Sequence, residues 1–164
     1  MKSSQGIRDK MYTIDALARR CNILRMQEKK IVFTNGVFDI IHGGHIASLT
    51  EAASHGDFLI VGVNADISVK KLKGPTRPLN DEASRMQLLA SLVQTDAVIL
   101  FEEDTPLELI KRLLPDVLVK GGDYTVDQVA GAKEVIAAGG EVIIAGMIEG
   151  LSTTGLMEKM KIPN

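Results

Sequence analysis

His42 and His45 stand three residues apart with Gly43 and Gly44 between them, just after the polar stretch Thr34-Asn35-Gly36-Val37-Phe38-Asp39. If a helix starts there, the two imidazoles occupy neighbouring positions, with roughly 5 to 6 Å between their Cβ atoms. Both can then face one anion. Gly44 lets the main chain come close to a ligand, and a helix N-terminus adds unpaired N–H groups and a partial positive charge. Imidazole donates to phosphate oxygens in either protonation state. The chemistry that fits is the binding or transfer of a phosphate group. Two other readings stay open: the histidines cap the helix and fill space, or they join a zinc site. Zinc normally needs three or four ligands, and His55 and Cys21 are the only other His or Cys in the chain.

Three further stretches could handle a phosphorylated ligand. Ser152-Thr153-Thr154 precedes the apolar positions Leu156, Met157 and Met160, so these hydroxyls either cap a terminal helix or hold terminal phosphates. Lys120-Gly121-Gly122-Asp123-Tyr124 follows an apolar run, and its paired glycines would let a ring or a ribose lie against the main chain; a plain turn is the alternative. The stretch from Lys70 to Pro78, with Lys73 and Arg77, reads as a basic loop followed by Arg85 on a helix. It is either solvated surface or a set of cations closing over phosphate.

Positioning these groups is the task of alternating elements. Apolar runs at Ile31 to Thr34, Phe58 to Val63, Ala97 to Phe101, Val117 to Val119 and Val142 to Ala145 read as strands buried on both faces. Helical spacing covers Gly44 to Ser54, Asp81 to Gln94, Thr105 to Leu114 and Val126 to Ala138. Asp104 and Thr105 are placed to cap the third of these ahead of Pro106, and Gly139-Gly140 stops the fourth. The pattern predicts an α/β, doubly wound, Rossmann-like five-stranded parallel sheet with helices on both faces. Ligands in such sheets sit beyond the carboxyl ends of the strands, where the histidine pair would lie. A helix around Thr13 to Gln27 is expected outside the sheet. The organisation is one domain, 1–164, with an N-terminal helical extension at 1–28 and a catalytic core at 29–164.

Composition narrows the partners. Hydrophobic residues make up 45% and charged residues 24% of 164, ordinary values for one globular domain. A net charge of -2 without a dense Lys/Arg run argues against nucleic acid. A single cysteine excludes an internal disulfide and fits a cytoplasmic setting, and no segment of signal or membrane-spanning length occurs in the first twenty residues.

Together, the H-x-G-H motif at His42, Gly44 and His45 and the S-T-T motif at Ser152 to Thr154 resemble the cytidylyltransferase-like nucleotidyltransferase superfamily. The resemblance runs from about Lys30 to the terminal helix. Within the superfamily, TNGVFDIIHGGH, LIVGVNADISVKKLKGPTRPLN, LPDVLVKGGDY and GLSTTGL are similar to the adenylyltransferases that form ADP-heptose from heptose 1-phosphate and ATP. Val37, Gly43 and Gly155 depart from the residues common there. The resemblance implies magnesium brought with ATP, and catalytic roles for His42, His45 and Lys73. It implies nucleotide contacts from Thr34, Asn35, Gly36, Phe38 and Gly44 beside the histidines, from Lys120, Gly121, Gly122 and Asp123, and from Ser152, Thr153 and Thr154. Asp39, Lys73 and Arg85 would meet the substrate phosphate, with Asp39 also a candidate for magnesium. The implied partners are ATP and a sugar 1-phosphate, with a homodimer plausible. A cytidylyltransferase acting on an alcohol phosphate and a non-enzymatic nucleotide-binding module are the competing functions.

Overall fold

A computed structural model describes residues 4–146 and Gly155. Its five strands, β1 (Ile31–Gly36), β2 (Phe58–Asn64), β3 (Ala97–Phe101), β4 (Val117–Gly121) and β5 (Glu141–Ala145), form one parallel sheet in the order β3-β2-β1-β4-β5. The doubly wound sheet expected from the apolar runs is therefore present. The order reverses at β1, which pairs with β2 on one side and β4 on the other, so a crevice opens beyond the carboxyl ends of β1 and β4.

Strand side chains alternate between two cores. Ile31, Phe33, Ile60, Ile99 and Leu118 meet α2 (Ile14–Met26), α6 (Leu107–Leu113) and α7 (Ala132–Ala137) on one face. Val32, Leu59, Val61, Val98, Val117 and Val119 meet α3 (Gly43–Ala53) and α5 (Glu82–Ser91) on the other. Burial on both faces is why the strands read as unbroken apolar runs. At the amino ends of the strands, Asp57, Asp96 and Asp116 accept from the backbone N–H of Lys30, Leu59 and Ile31 at 2.9, 2.8 and 2.7 Å, which fixes the start of the pleat.

The residues before β1 belong to this framework. The side chains of Leu17 and Cys21 on α2 are fully buried in the first core, and α1 (Ser4–Arg8) packs against α5 on the opposite face. Between them the chain runs along the outer edge of β3, where Val98 N–H donates to Lys10 O at 2.7 Å and Tyr12 N–H to Val98 O at 2.9 Å.

Three local expectations are corrected. Lys70, Lys71 and Lys73 are the last turn of α4 (Asp66–Lys73), not a loop, and the loop begins at Gly74, whose φ is +99°. Pro106 occupies the cap position of α6 without a side-chain cap bond, so Asp104 and Thr105 are not its caps. The stretch from Val126 to Ala138 is a 3-10 turn (Val126–Gln128) followed by α7, broken at Gly131. There φ is +87° and a Cβ would lie 2.7 Å from Ile110, so a side chain is excluded on both counts.

Candidate functional site

The start of α3 lies beside the crevice, and its geometry combines two of the sequence readings. His42, extended at φ -141° and ψ 172°, is the N-cap: its Nδ1 accepts from Gly44 N–H at 3.1 Å. With Nδ1 acting as acceptor, a neutral His42 carries its proton on Nε2, away from the helix. The same ring thus caps α3 and keeps one donor for a ligand. His45 stacks on it with ring centroids 3.9 Å apart and 29° between planes, and Phe38 tilts against His45 at 5.3 Å. The His45 Nδ1 is buried with no hydrogen-bond partner among the described residues.

Burial lowers the pKa of both histidines. For His45, burial and then the neighbouring His42 bring it to about 4, against an opposing backbone hydrogen bond at Ile40. Near neutrality, then, the pair acts as hydrogen-bond donors fixed by packing. Phe38 sits in the left-handed region at φ 51°, which turns its ring inward, and Gly36 makes room for it: a Cβ there would stand 3.0 Å from that ring.

Across β1 lies a cavity of about 390 Å³, lined by Asn35, Gly36 and Val37 of β1 and its loop, Asn64 ending β2, and Leu72 and Lys73 ending α4. Asp104, Thr105 and Pro106 after β3, Lys120 in the last two residues of β4, and Tyr124 with Gln128, Val129 and Ala130 complete it. The Lys120 ammonium lies 5.3 Å over the Tyr124 ring, and burial lowers its pKa. A larger groove of about 540 Å³ opens at the opposite, amino edge, but its cations are engaged. There Arg25 donates to the carbonyls of Leu113 and Leu114, Lys29 pairs with Asp57 and Lys30 with Glu141.

The structure brings His42, Gly44 and His45 together at α3, and Asn35, Gly36, Lys73 and Lys120 together in the cavity. Thr34 is buried within β1, Gly121 is exposed at the end of β4 and Asp123 beyond it, and Gly122 turns the chain there at φ +115°. Ser152, Thr153 and Thr154 lie outside the described residues.

Two expectations need correction. Arg85 was expected on the substrate phosphate, yet it is 0% exposed. Its guanidinium donates to the carbonyls of Asn80 (3.0 Å), Val37 (2.7 Å) and Asn64 (2.8 Å) and to Asp66 (2.7 Å). It holds three loops together and has no face toward a ligand. Asp39 was expected on phosphate or magnesium, yet it is 2% exposed. Its carboxylate accepts from Arg77 Nε at 2.6 Å, Leu79 N–H at 2.8 Å and Asn80 N–H at 2.9 Å. Burial alone would raise the Asp39 carboxyl, but the N–H groups of Asn80 and Leu79 and the Arg77 guanidinium outweigh it and hold the pKa below the usual value. With its oxygens committed, Asp39 does not fit a magnesium ligand. Among the described residues, no group of three His, Cys, Asp or Glu could hold a metal. None of their helices is long and apolar enough to cross a membrane.

Sequence reasoning did not select Asn64, Asp104, Thr105 or Gln128 for the site. For the first two a signal existed: each is a polar residue that closes or soon follows an apolar strand at the ligand-binding edge.

Residues 33–155 match the cytidylyltransferase-like family. The bifunctional protein HldE of Shewanella sediminis is 51% identical over 146 residues, covering 89% of this chain and 31% of that protein. HldE of Vibrio cholerae serotype O1 is 50% identical over 159 residues, covering 95% and 33%. The chain thus spans about a third of the length of the curated relatives it matches. Among solved structures, the lipopolysaccharide core biosynthesis protein from Thermoplasma volcanium is 32% identical with a TM-score of 0.60, covering 73% of this chain and 97% of that one. The pantoate-β-alanine ligase from Francisella tularensis shares the fold, at a TM-score of 0.59 and 16% identity over 92% of this chain and 76% of that one.

Proposed function

The chain belongs to the cytidylyltransferase-like family, and on that premise we propose that it is an adenylyltransferase converting D-glycero-β-D-manno-heptose 1-phosphate and ATP to ADP-heptose and pyrophosphate. The observation that carries the reading is the stacked His42–His45 pair at the start of α3, beside the crevice where the strand order reverses. Strings from Thr34 to Leu156 similar to ADP-heptose-forming enzymes support the choice of ATP and of the sugar, and the Thermoplasma volcanium relative supports a place in lipopolysaccharide core assembly; a cytosolic setting is part of the proposal.

In this reading a phosphate oxygen of the sugar 1-phosphate attacks the α-phosphorus of ATP. The new P–O bond forms as the bond from that phosphorus to the oxygen bridging to the β-phosphate breaks, and pyrophosphate leaves with the electron pair. The nucleophile is already anionic, so no proton has to be removed, and the protein's task is positioning and charge stabilisation. The α3 N–H groups, the His42 Nε2–H and the ring N–H of His45 are assigned as donors aimed at phosphate oxygens, and packing of Phe38 on His45 keeps the pair fixed. Lys73 supplies positive charge from across β1. Magnesium enters as part of the triphosphate substrate. Ser152, Thr153 and Thr154 are assigned to the β- and γ-phosphates by resemblance.

The test is to supply the heptose 1-phosphate with ATP or CTP in parallel and follow pyrophosphate release and product mass. Release with ATP alone and a product of ADP-heptose mass is expected. Release with CTP alone would move the protein to the cytidylyltransferases. Silence with both would leave nucleotide binding without turnover.

A further inference from the structure

We propose that the outer edge of β3 beyond Val98 is a docking site for an extended, Lys- or Arg-bearing segment of another protein. The segment adds to the sheet at Leu100 and sets its cations against Glu102 and Glu103.

The open edge comes first. In a parallel strand pair, the N–H and C=O of every second residue point to the same side. The bonds of Val98 to Lys10 and Tyr12 face the outer side, whereas Phe101 O, which accepts from Ala65 N–H at 2.8 Å, faces β2. Leu100 therefore points outward with Val98. The segment that covers Val98 leaves the edge at Thr13, the N-cap of α2, and neither the N–H nor the C=O of Leu100 has a partner among the described residues. Such an edge is a template for an added strand bonded through the main chain.

A groove of about 470 Å³ lies along this edge, with Ile14 of α2 and Leu109 of α6 among its apolar lining. Four carboxylates line it, from Asp15, Glu102, Glu103 and Glu108, against the one guanidinium of Arg112. Asp15 and Glu108 are matched by Arg112 and Lys111, at 3.3 and 2.9 Å. Glu102 and Glu103 are exposed and make no ion pair with a described residue. Their charge is left for a partner.

That charge selects the occupant. Nucleic acid, free nucleotides and phosphates carry the wrong sign. A metal does not fit, since among the described residues no group of three His, Cys, Asp or Glu could hold one. A second copy would bring the same acidic rim and, at Val98, an edge already covered. A cationic segment in which apolar residues alternate with Lys or Arg meets both the apolar lining and the glutamates, because strand side chains alternate between faces. The position also matters: Glu102 and Glu103 line the groove, while Asp104, Thr105 and Pro106, next in the chain, line the cavity across β1. One loop thus walls both, and a docked segment bears on the cavity from behind.

The probe is a fluorescein-labelled peptide, Lys-Val-Lys-Val-Lys-Val, titrated into the full chain at low ionic strength and followed by anisotropy. Beside it run Glu-Val-Glu-Val-Glu-Val and two copies of the first peptide, N-methylated at the valines or at the lysines. Only one of those N–H sets can face the edge, so at least one methylated copy should bind about tenfold more weakly. The Glu102→Gln/Glu103→Gln protein should also bind the basic peptide about tenfold more weakly. Hydrogen exchange at the Leu100 amide should slow in the complex. The proposal is overturned if the basic peptide does not bind, if the acidic one binds equally, or if the variant binds as the wild type does. It is overturned too if both methylated copies bind like the parent or if exchange at Leu100 is unchanged. Should the variant not fold, the methylated copies and the Leu100 amide of the wild type decide.

Discussion

Replacing Arg85 by Lys separates a buried tie from a phosphate ligand. The side chain is 0% exposed and makes four hydrogen bonds, three to carbonyls on separate loops and one to Asp66. Lysine keeps the charge but not the planar fork, so its ammonium can serve one or two of those acceptors. Two or three would be left buried and unpaired, at about 1 to 3 kcal/mol each, for a loss of roughly 2 to 9 kcal/mol. At about 2 to 4 °C per kcal/mol for a chain of this size, Tm should fall on the order of 10 °C without ligand. Urea unfolding should show a lower midpoint at unchanged slope, because the native fold still buries the same surface. Kinetics should show kcat reduced, since Val37 leads into the Phe38–His45 packing, with the KM for either substrate changed less than kcat. An Arg85→Lys protein with wild-type Tm and a KM raised tenfold would refute the reasoning and restore Arg85 to the phosphate.

Two further outcomes follow from the histidine pair. His45→Ala should lower turnover a hundredfold or more, because losing one preorganised donor costs about 3 to 4 kcal/mol of transition-state stabilisation; retention of more than a third of the wild-type rate would sink the assignment. Stability should fall with pH between about 6.5 and 4: folded His45 takes a proton only near 4, the unfolded chain takes it near the ordinary value, and so the unfolded state binds more protons across that window. The contribution is at most ~3 kcal/mol and constant above the window, so urea midpoints at pH 7 and 4.5 should differ less in His45→Gln than in the wild type.

What could be read without coordinates was whatever is local. The strands announce themselves because burial on both faces makes each run apolar, and the histidine pair because helical spacing alone makes neighbours of His42 and His45. α4 stayed hidden since Ala65 gives it no side-chain cap and Lys70 to Lys73 run into Gly74-Pro75, the pattern of a loop. Arg85 and Asp39 were misassigned for a different reason. A sequence shows charge but not partners, and the carbonyls and N–H groups that occupy these two side chains come from Val37, Asn64 and the turn at Leu79–Asn80. The cavity draws on several separate segments, so no single stretch could disclose it.

The passage of the first residues around the β3 edge has a consequence for what can be moved between proteins. The family match begins at residue 33, where the chemistry starts, but Val98 is already paired with Lys10 and Tyr12, and the Leu17 and Cys21 side chains are already sealed in a core. A graft cut at the recognisable signature would bare Phe33 and Ile60 and leave Val98 with an open edge, the condition that invites sheet-to-sheet association. The heritable piece is therefore longer than the recognisable one. Any shuffling of this unit into or out of a larger chain must place its joint upstream of Lys10.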